Sequence, residues 1–249
     1  MVESGRRVLV VGGTSGVGLA AALRLGMVPG TRIVLNGRDP ARGEAACDQV
    51  RLHCPAATVG FVAADVSTQH GVSRLFADAG GPLDVLVNAA GGEDVPTLLH
   101  QTPLDQVDRV VRGWLLATIY CCRTGLEHLV DGGAIVNVAS DAAKVPTPGE
   151  AVIGAAMAGI VMFSRTLAME AKRRRIRVNV VTPSLVSGTR TTARITEGGF
   201  SARLFARAAE LAALGVATPD DVAAAIEFLA GAPRVTGQVV SVNGGISAG

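Results

Sequence analysis

The feature that most limits the folds open to this chain is an alternation. Short runs rich in Val, Ile and Leu (RVLVV, RIVLN, TVGFVA, DVLVN, AIVNVA, RVNVV and QVVSVNGG) are separated by longer, Ala-rich segments of helical length. Strands that alternate with helices imply an α/β fold: a doubly wound parallel sheet of about seven strands with helices on both faces. The spacing predicts helices over Val17–Leu25, Pro40–His53, Gln69–Ala79, Leu104–His128, Ala151–Arg174 and Pro219–Ala230. In such sheets ligands bind beyond the carboxyl ends of the strands, where Asn88, Ser140 and Pro183 fall.

The 249 residues show no long linker, internal repeat or low-complexity segment, so residues 1–249 are expected to form a single domain. Hydrophobic residues make up 49%, but Gly, Arg or Asp interrupts the apolar stretches, and no membrane span is expected. The N-terminal MVESGRRVLVVGG runs directly into a strand without a signal-peptide pattern, which leaves a cytoplasmic address as the expectation. Cys47, Cys54, Cys121 and Cys122 have neither zinc-ligand nor redox-pair spacing and read as free, buried thiols. The four histidines offer no paired spacing, so no metal site is expected. A net charge of +2 argues against a nucleic-acid partner. The one basic run, Lys172–Arg177, reads as the water-facing end of a helix, complementing its dipole.

The first strand runs into VGGTSGVG, Val11–Gly18, which opens the first helix. Gly12, Gly16 and Gly18 let the chain turn tightly, and together with Thr14, Ser15 and Val17 they bring backbone N–H groups to the positive end of that helix, where a diphosphate would be held. Further signals follow in order: DV at Asp65 and Val66, NAAG at Asn88–Gly91, IVNVAS ending in Ser140, RVNVVTPS at Arg177–Ser184, and VTGQVVSVNGG near the end.

In these motifs the chain resembles the short-chain dehydrogenase/reductase family over nearly its whole length, with Val11 in place of the threonine of the family's TGxxxGxG pattern. The resemblance implies a Rossmann-like fold with a nicotinamide dinucleotide lying across the strand ends. It implies Asp65 and Val66 near adenine, Asn88, Ala89, Ala90 and Gly91 along ribose and diphosphate, and Val186 near the carboxamide. It also implies a homotetramer or homodimer. At the end of the second strand, LNGRD places uncharged Gly37 where a carboxylate would select NAD, and Arg38 follows, offering a planar fork for a 2′-phosphate. NADP is therefore expected over NAD.

Relatives exchange protons through a tyrosine, a lysine four residues later, a serine and an asparagine. A phenol near pKa 10 needs such a cation to act as a base at neutral pH. Counting from Ser140 puts Ile153 at the tyrosine and Met157 at the lysine, while Trp114 falls at the asparagine. Of the four, Ser140 alone remains as a catalytic candidate. Tyr120 is expected to face the core, and Asp141, Lys144 and Glu150 read as solvated loop charges. Ser184–Phe200 reads as a mobile substrate lid whose Arg190 and Arg194 either meet an acidic group or lie at the surface.

Three functions fit these residues. One is an NADP(H)-dependent oxidoreductase acting on an activated, enone-like and apolar small molecule. The second is a non-redox cyclase, isomerase or dehydratase on the same scaffold, and the third is a non-catalytic partner subunit.

Overall fold

The computed structural model describes residues 5–91 and 94–247, so Met1–Ser4 of the N-terminal stretch lie outside the described residues. Seven strands, β1 (Arg7–Val11), β2 (Arg32–Gly37), β3 (Thr58–Ala63), β4 (Leu83–Asn88), β5 (Leu129–Val138), β6 (Arg177–Pro183) and β7 (Val239–Val242), form one sheet in the order β3-β2-β1-β4-β5-β6-β7. Every neighbouring pair is parallel. The strand order reverses between β1 and β4, which opens a crevice above their carboxyl ends. The expected Rossmann-like architecture is the observed one.

The helices are α1 (Gly16–Gly26), α2 (Pro40–His53), α3 (Gln69–Ala79), α4 (Leu104–Val110), α5 (Ala117–His128), α6 (Ala151–Ala171), α7 (Arg190–Thr196), α8 (Gly199–Leu211) and α9 (Pro219–Gly231). Local chemistry sets several starts. Asp39 accepts from the N–H groups of Ala41 and Arg42 with Pro40 behind it, and Thr218 and Asp221 form a reciprocal capping box.

Side chains alternate across the strands, so β1 feeds two cores. Leu9 and Val11 join Val72, Leu75, Phe76 and Leu167 on the α3, α5 and α6 side. Val8 and Val10 join Ala21, Leu25, Ile33, Val222, Ile226 and Leu229 on the α1, α2 and α9 side.

Four expectations need correction. Strand β5 starts at Leu129 rather than Ala134, because the register shifts between Leu83 and Val85 and the DGG stretch interrupts the apolar pattern. The expected helix Leu104–His128 contains one wide π-helical turn, Val111–Leu116, between α4 and α5. Ser184–Phe200 is not simply a loop: it holds α7, capped by the Thr189 hydroxyl, and the start of α8.

Finally, Ala151–Arg174 is long and apolar enough to cross a membrane by length and composition. A helix packed on a buried sheet needs the same composition. Ala156, Met157, Ile160, Val161 and Leu167 are buried in the fold.

The basic run does more than face water. Arg174 donates to the carbonyls of Leu126 and Leu129 at 2.5 Å and pairs with Asp131, and Arg177 donates to the carbonyls of Leu229 and Ala230. The four cysteines are free and buried, as expected.

Candidate active site

A cavity of about 1480 Å³ opens over the carboxyl ends of the strands. Its walls bring together Gly12, Thr14, Ser15, Gly16, Val17, Gly18, Arg38, Asp65, Val66, Ala89, Ala90, Gly91, Ser140 and Val186, residues drawn from six separate stretches of sequence.

Glycine is required in the first turn for a measurable reason. A Cβ at Gly12, whose φ is +75°, would lie 2.6 Å from the backbone of Ala90, and one at Gly18 would lie 2.2 Å from the Gly12 carbonyl oxygen. The turn is therefore pressed against the end of β4 and against the start of α1. Ser15 heads α1 without spending its hydroxyl on a cap, so that helix opens into the cavity with uncapped N–H groups. This is a cradle that fits a diphosphate.

Asn88 departs from its expected place. Its side chain does not line the cavity but is buried below it, donating to Asn137 Oδ1 at 2.8 Å and to Cys122 Sγ at 3.3 Å. Asn137 in turn donates to Ser164. Asn88 thus braces β4, β5 and α6 beneath the NAAG turn. Asp65 also has a local duty, accepting from the Ser67 N–H at 3.0 Å.

At the far end of β2, a side chain at Gly37 would meet Thr14 Cγ2 at 2.6 Å. Arg38 lines the cavity there. The Asp39 carboxylate is committed to the N-terminus of α2 and to Arg42, 2.9 Å away.

Beyond the cradle, the Ser140 Oγ accepts from the Ala142 N–H at 3.2 Å, which leaves its own proton to donate into the cavity. Ile153 and Met157 line the wall beside it, one helical turn apart on α6, within an apolar cluster that includes Ala139, Ile160 and Val180. The wide π turn carries Trp114 into the same wall. Its ring tip lies so close to Gly91 that a Cβ there would meet Cη2 at 2.3 Å, and its buried Nε1 has no hydrogen-bond partner among the described residues.

The single tyrosine, Tyr120 on α5, packs against the core, as its helical position implies. Of the two lysines, Lys144 pairs with Asp141 at 3.1 Å and Lys172 ends α6. Among the described residues no tyrosine or lysine side chain lines the cavity.

The supposed solvated loop charges are not solvated. Asp141 is 4% exposed and accepts from Lys144, Ser241, Asn243 and Ser247. Glu150 stands at the cavity wall, part-buried at the head of α6. Burial pushes its carboxyl above the usual range, against a lowering hydrogen bond from Thr147. Glu150 is therefore not the solvated loop charge the sequence suggests, and its position just before the apolar helix that carries Ile153 is the signal for its place. The lid helices bring Arg190, Arg194, Glu197, Leu204, Phe205 and Arg207 to the opposite wall.

Comparison with known proteins agrees with this geometry. A family profile described as Enoyl-(Acyl carrier protein) reductase matches residues 11–247. The chain is 32% identical over 251 residues to the 3-oxoacyl-(acyl-carrier-protein) reductase FabG of Chlamydia pneumoniae, covering 98% of this chain and 97% of that protein. It is 32% identical over 245 residues to carbonyl reductase family member 4 of Danio rerio, covering 97% and 98%. The solved short-chain dehydrogenase/reductase of Serratia marcescens superposes with a TM-score of 0.88 at 26% identity, over 100% of both chains. With the family profile matched over residues 11–247 and relatives 32% identical across nearly the whole length, the chain belongs to the short-chain dehydrogenase/reductase family of oxidoreductases.

Proposed function

We propose that this chain is an NADP(H)-dependent oxidoreductase with a non-standard active site, which reduces a small apolar molecule whose carbonyl is activated by conjugation. The observation that carries this reading is the pairing of a diphosphate-shaped cradle with an apolar wall. Ile153, Met157 and Trp114 stand beside Ser140, where relatives of this family keep an acid, a cation and an amide.

Several residues support NADP over NAD. Gly37 has no room for a carboxylate against Thr14, Asp39 is already committed to a helix terminus and Arg42, and Arg38 stands on the wall. Gly12–Gly18 would hold the diphosphate, Asp65 and Val66 the adenine end, Ala89–Gly91 the ribose, and Val186 the carboxamide. When bound, the reduced dinucleotide supplies a hydride.

The rest falls to the chain's own side chains. Ile153, Met157 and Trp114 exclude water and hold an apolar substrate flat, and the Ser140 hydroxyl donates to its oxygen. A serine alone is a weak acid, and loss of general acid–base groups typically removes about 10² to 10⁴ in rate. That favours a substrate whose product anion is a stabilised enolate, as conjugate reduction of an enone gives. Exposed Met162 and Met169 on α6 support a homodimer or homotetramer as part of this proposal.

The test is a titration with NADPH and NADH followed by turnover of an enone and a simple ketone. The expected result is tighter binding of NADPH and oxidation of it with the enone alone. Binding without turnover moves the assignment to non-redox chemistry, and no binding of either dinucleotide refutes it. The double variant Ile153→Tyr with Met157→Lys should gain ketone reduction, because both positions face the cavity.

A further inference from the structure

We infer that Glu150 is the proton donor of this site, a carboxylic acid standing one helical turn before the position that relatives give to tyrosine. The inference rests on the oxidoreductase reading above. Its geometry comes from the start of α6. The Gly154 N–H donates to the Glu150 carbonyl at 2.5 Å, which makes Glu150 the N-cap of α6, with φ −108° and ψ 22°. Glu150, Ile153 and Met157 all line the cavity that Ser140 also lines.

The segment before Glu150 is held in place. Gly149, with φ +87°, accepts from the Thr97 N–H at 2.8 Å, and Phe200 of the lid helix α8 lies over it. Glu150 follows directly, part-buried and lining the cavity.

Charged groups reach this region from each element around it. Arg190, Arg194 and Glu197 come from the lid helix α7 and Arg207 from α8. Asp94, paired with Arg109, lines the same cavity, and Asp141, paired with Lys144, comes from the loop after β5. The influences that act on the Glu150 carboxyl are burial, which raises its pKa, and the Thr147 hydrogen bond, which lowers it; burial is the larger. Burial favours the protonated form of this carboxyl, and a carboxylic acid donates a proton far more readily than the Ser140 hydroxyl does.

The step balances simply. For a conjugated enone, a C–H bond forms at the β-carbon with hydride drawn from a reduced nicotinamide dinucleotide, which is oxidised. The π pair moves toward oxygen. Glu150 breaks its O–H bond to protonate that oxygen, and the resulting carboxylate regains a proton from water. Ser140 fixes the oxygen by hydrogen bonding.

The experiment compares wild type, Glu150→Gln, Glu150→Asp and, as a control, Glu170→Gln on the exposed side of α6. The first readout is kcat against pH with NADPH and the enone. Wild type should lose activity on the alkaline side with a single proton. Glu150→Gln should be slower by about 100-fold or more and lose that limb, Glu150→Asp should keep it at reduced rate, and the control should match wild type.

The second readout needs no cofactor: infrared difference spectra of the apoprotein, wild type minus Glu150→Gln, should show a neutral carboxylic acid that titrates above the ordinary glutamate value of about 4.3. Glu150→Gln turning over within about 3-fold of wild type with an unchanged pH profile overturns the assignment of Glu150 alone. A carboxyl that titrates at or below the ordinary value does the same. A wild type that turns over nothing on the panel removes the oxidoreductase reading and this one with it.

Discussion

Substituting alanine at Gly12 separates two costs that the cradle combines. Gly12 has φ +75°, and its added Cβ would lie 2.6 Å from Ala90 Cα and N and 2.7 Å from Ala89 C. Gly188 has nearly the same backbone conformation, φ +68°, but nothing lies within 4 Å of its added Cβ. Left-handed backbone costs a residue with a Cβ about 1–2 kcal/mol, and both variants incur that. Only Gly12→Ala must also displace backbone, an overpacking cost of about 1–3 kcal/mol. The sum is about 2–5 kcal/mol for Gly12→Ala against about 1–2 for Gly188→Ala, a visible share of the roughly 5–15 kcal/mol that holds a typical domain folded. Urea unfolding at one fixed protein concentration measures the difference, and fluorescence titration should show dinucleotide binding weakened by Gly12→Ala alone. Equal midpoints for the two variants would refute the claim that the glycine turn is pressed against the end of β4.

Asp141→Ala should destabilise by about 3 kcal/mol in the same assay, the low end for breaking a buried pair because Lys144 keeps 18% of its exposure; a change within about 0.5 kcal/mol would mean the cluster is ornamental. Burial pushes the Cys122 thiol up to about 12 and raises Cys121, Cys47 and Cys54 as well, so a thiol reagent at mildly alkaline pH should release no colour until denaturant is added. Glu150 binds its proton more tightly folded than unfolded, so the stability it contributes is present at low pH and is lost as pH rises from the unfolded value through the raised one. Glu150→Gln should therefore match wild type in strongly acid buffer and become relatively more stable as pH rises through that window. A relative loss there would contradict the burial of the carboxyl.

Most of the architecture was legible because its punctuation is local. Pro40 after Asp39, Thr68 before Gln69 and Pro219 after Thr218 mark helix starts that need no tertiary information. The glycine turn was legible for a similar reason, since close backbone approach leaves glycine little alternative.

What escaped depends on packing between distant segments. The π turn at Val111–Leu116 has no proline or glycine pair to announce it and is the geometry that aims Trp114 at Gly91. The lid segment is rich in Thr, Arg and Gly, so α7 is held by the Thr189 cap and by α8 rather than by propensity. Asn88 sits at a strand end in the sequence, and only the sheet shows that Asn137 and Cys122 draw its side chain downward. Asp141 reads as a surface charge because its partners Ser241, Asn243 and Ser247 are a hundred or more positions away.

The clasp around Asp141 gives the chain's last turn an influence its position would not suggest. Asn243 donates both to that carboxylate and to the Ser247 carbonyl, while Ile246 and Ser247 help wall the cavity. Loosening Asn243 would unfasten the segment next to Ser140 from behind. A search for variants with altered selectivity would do well to sample this remote corner, where hydrogen bonds from Asn243 and Ser247 tie the segment next to Ser140 to the strand at the sheet's edge.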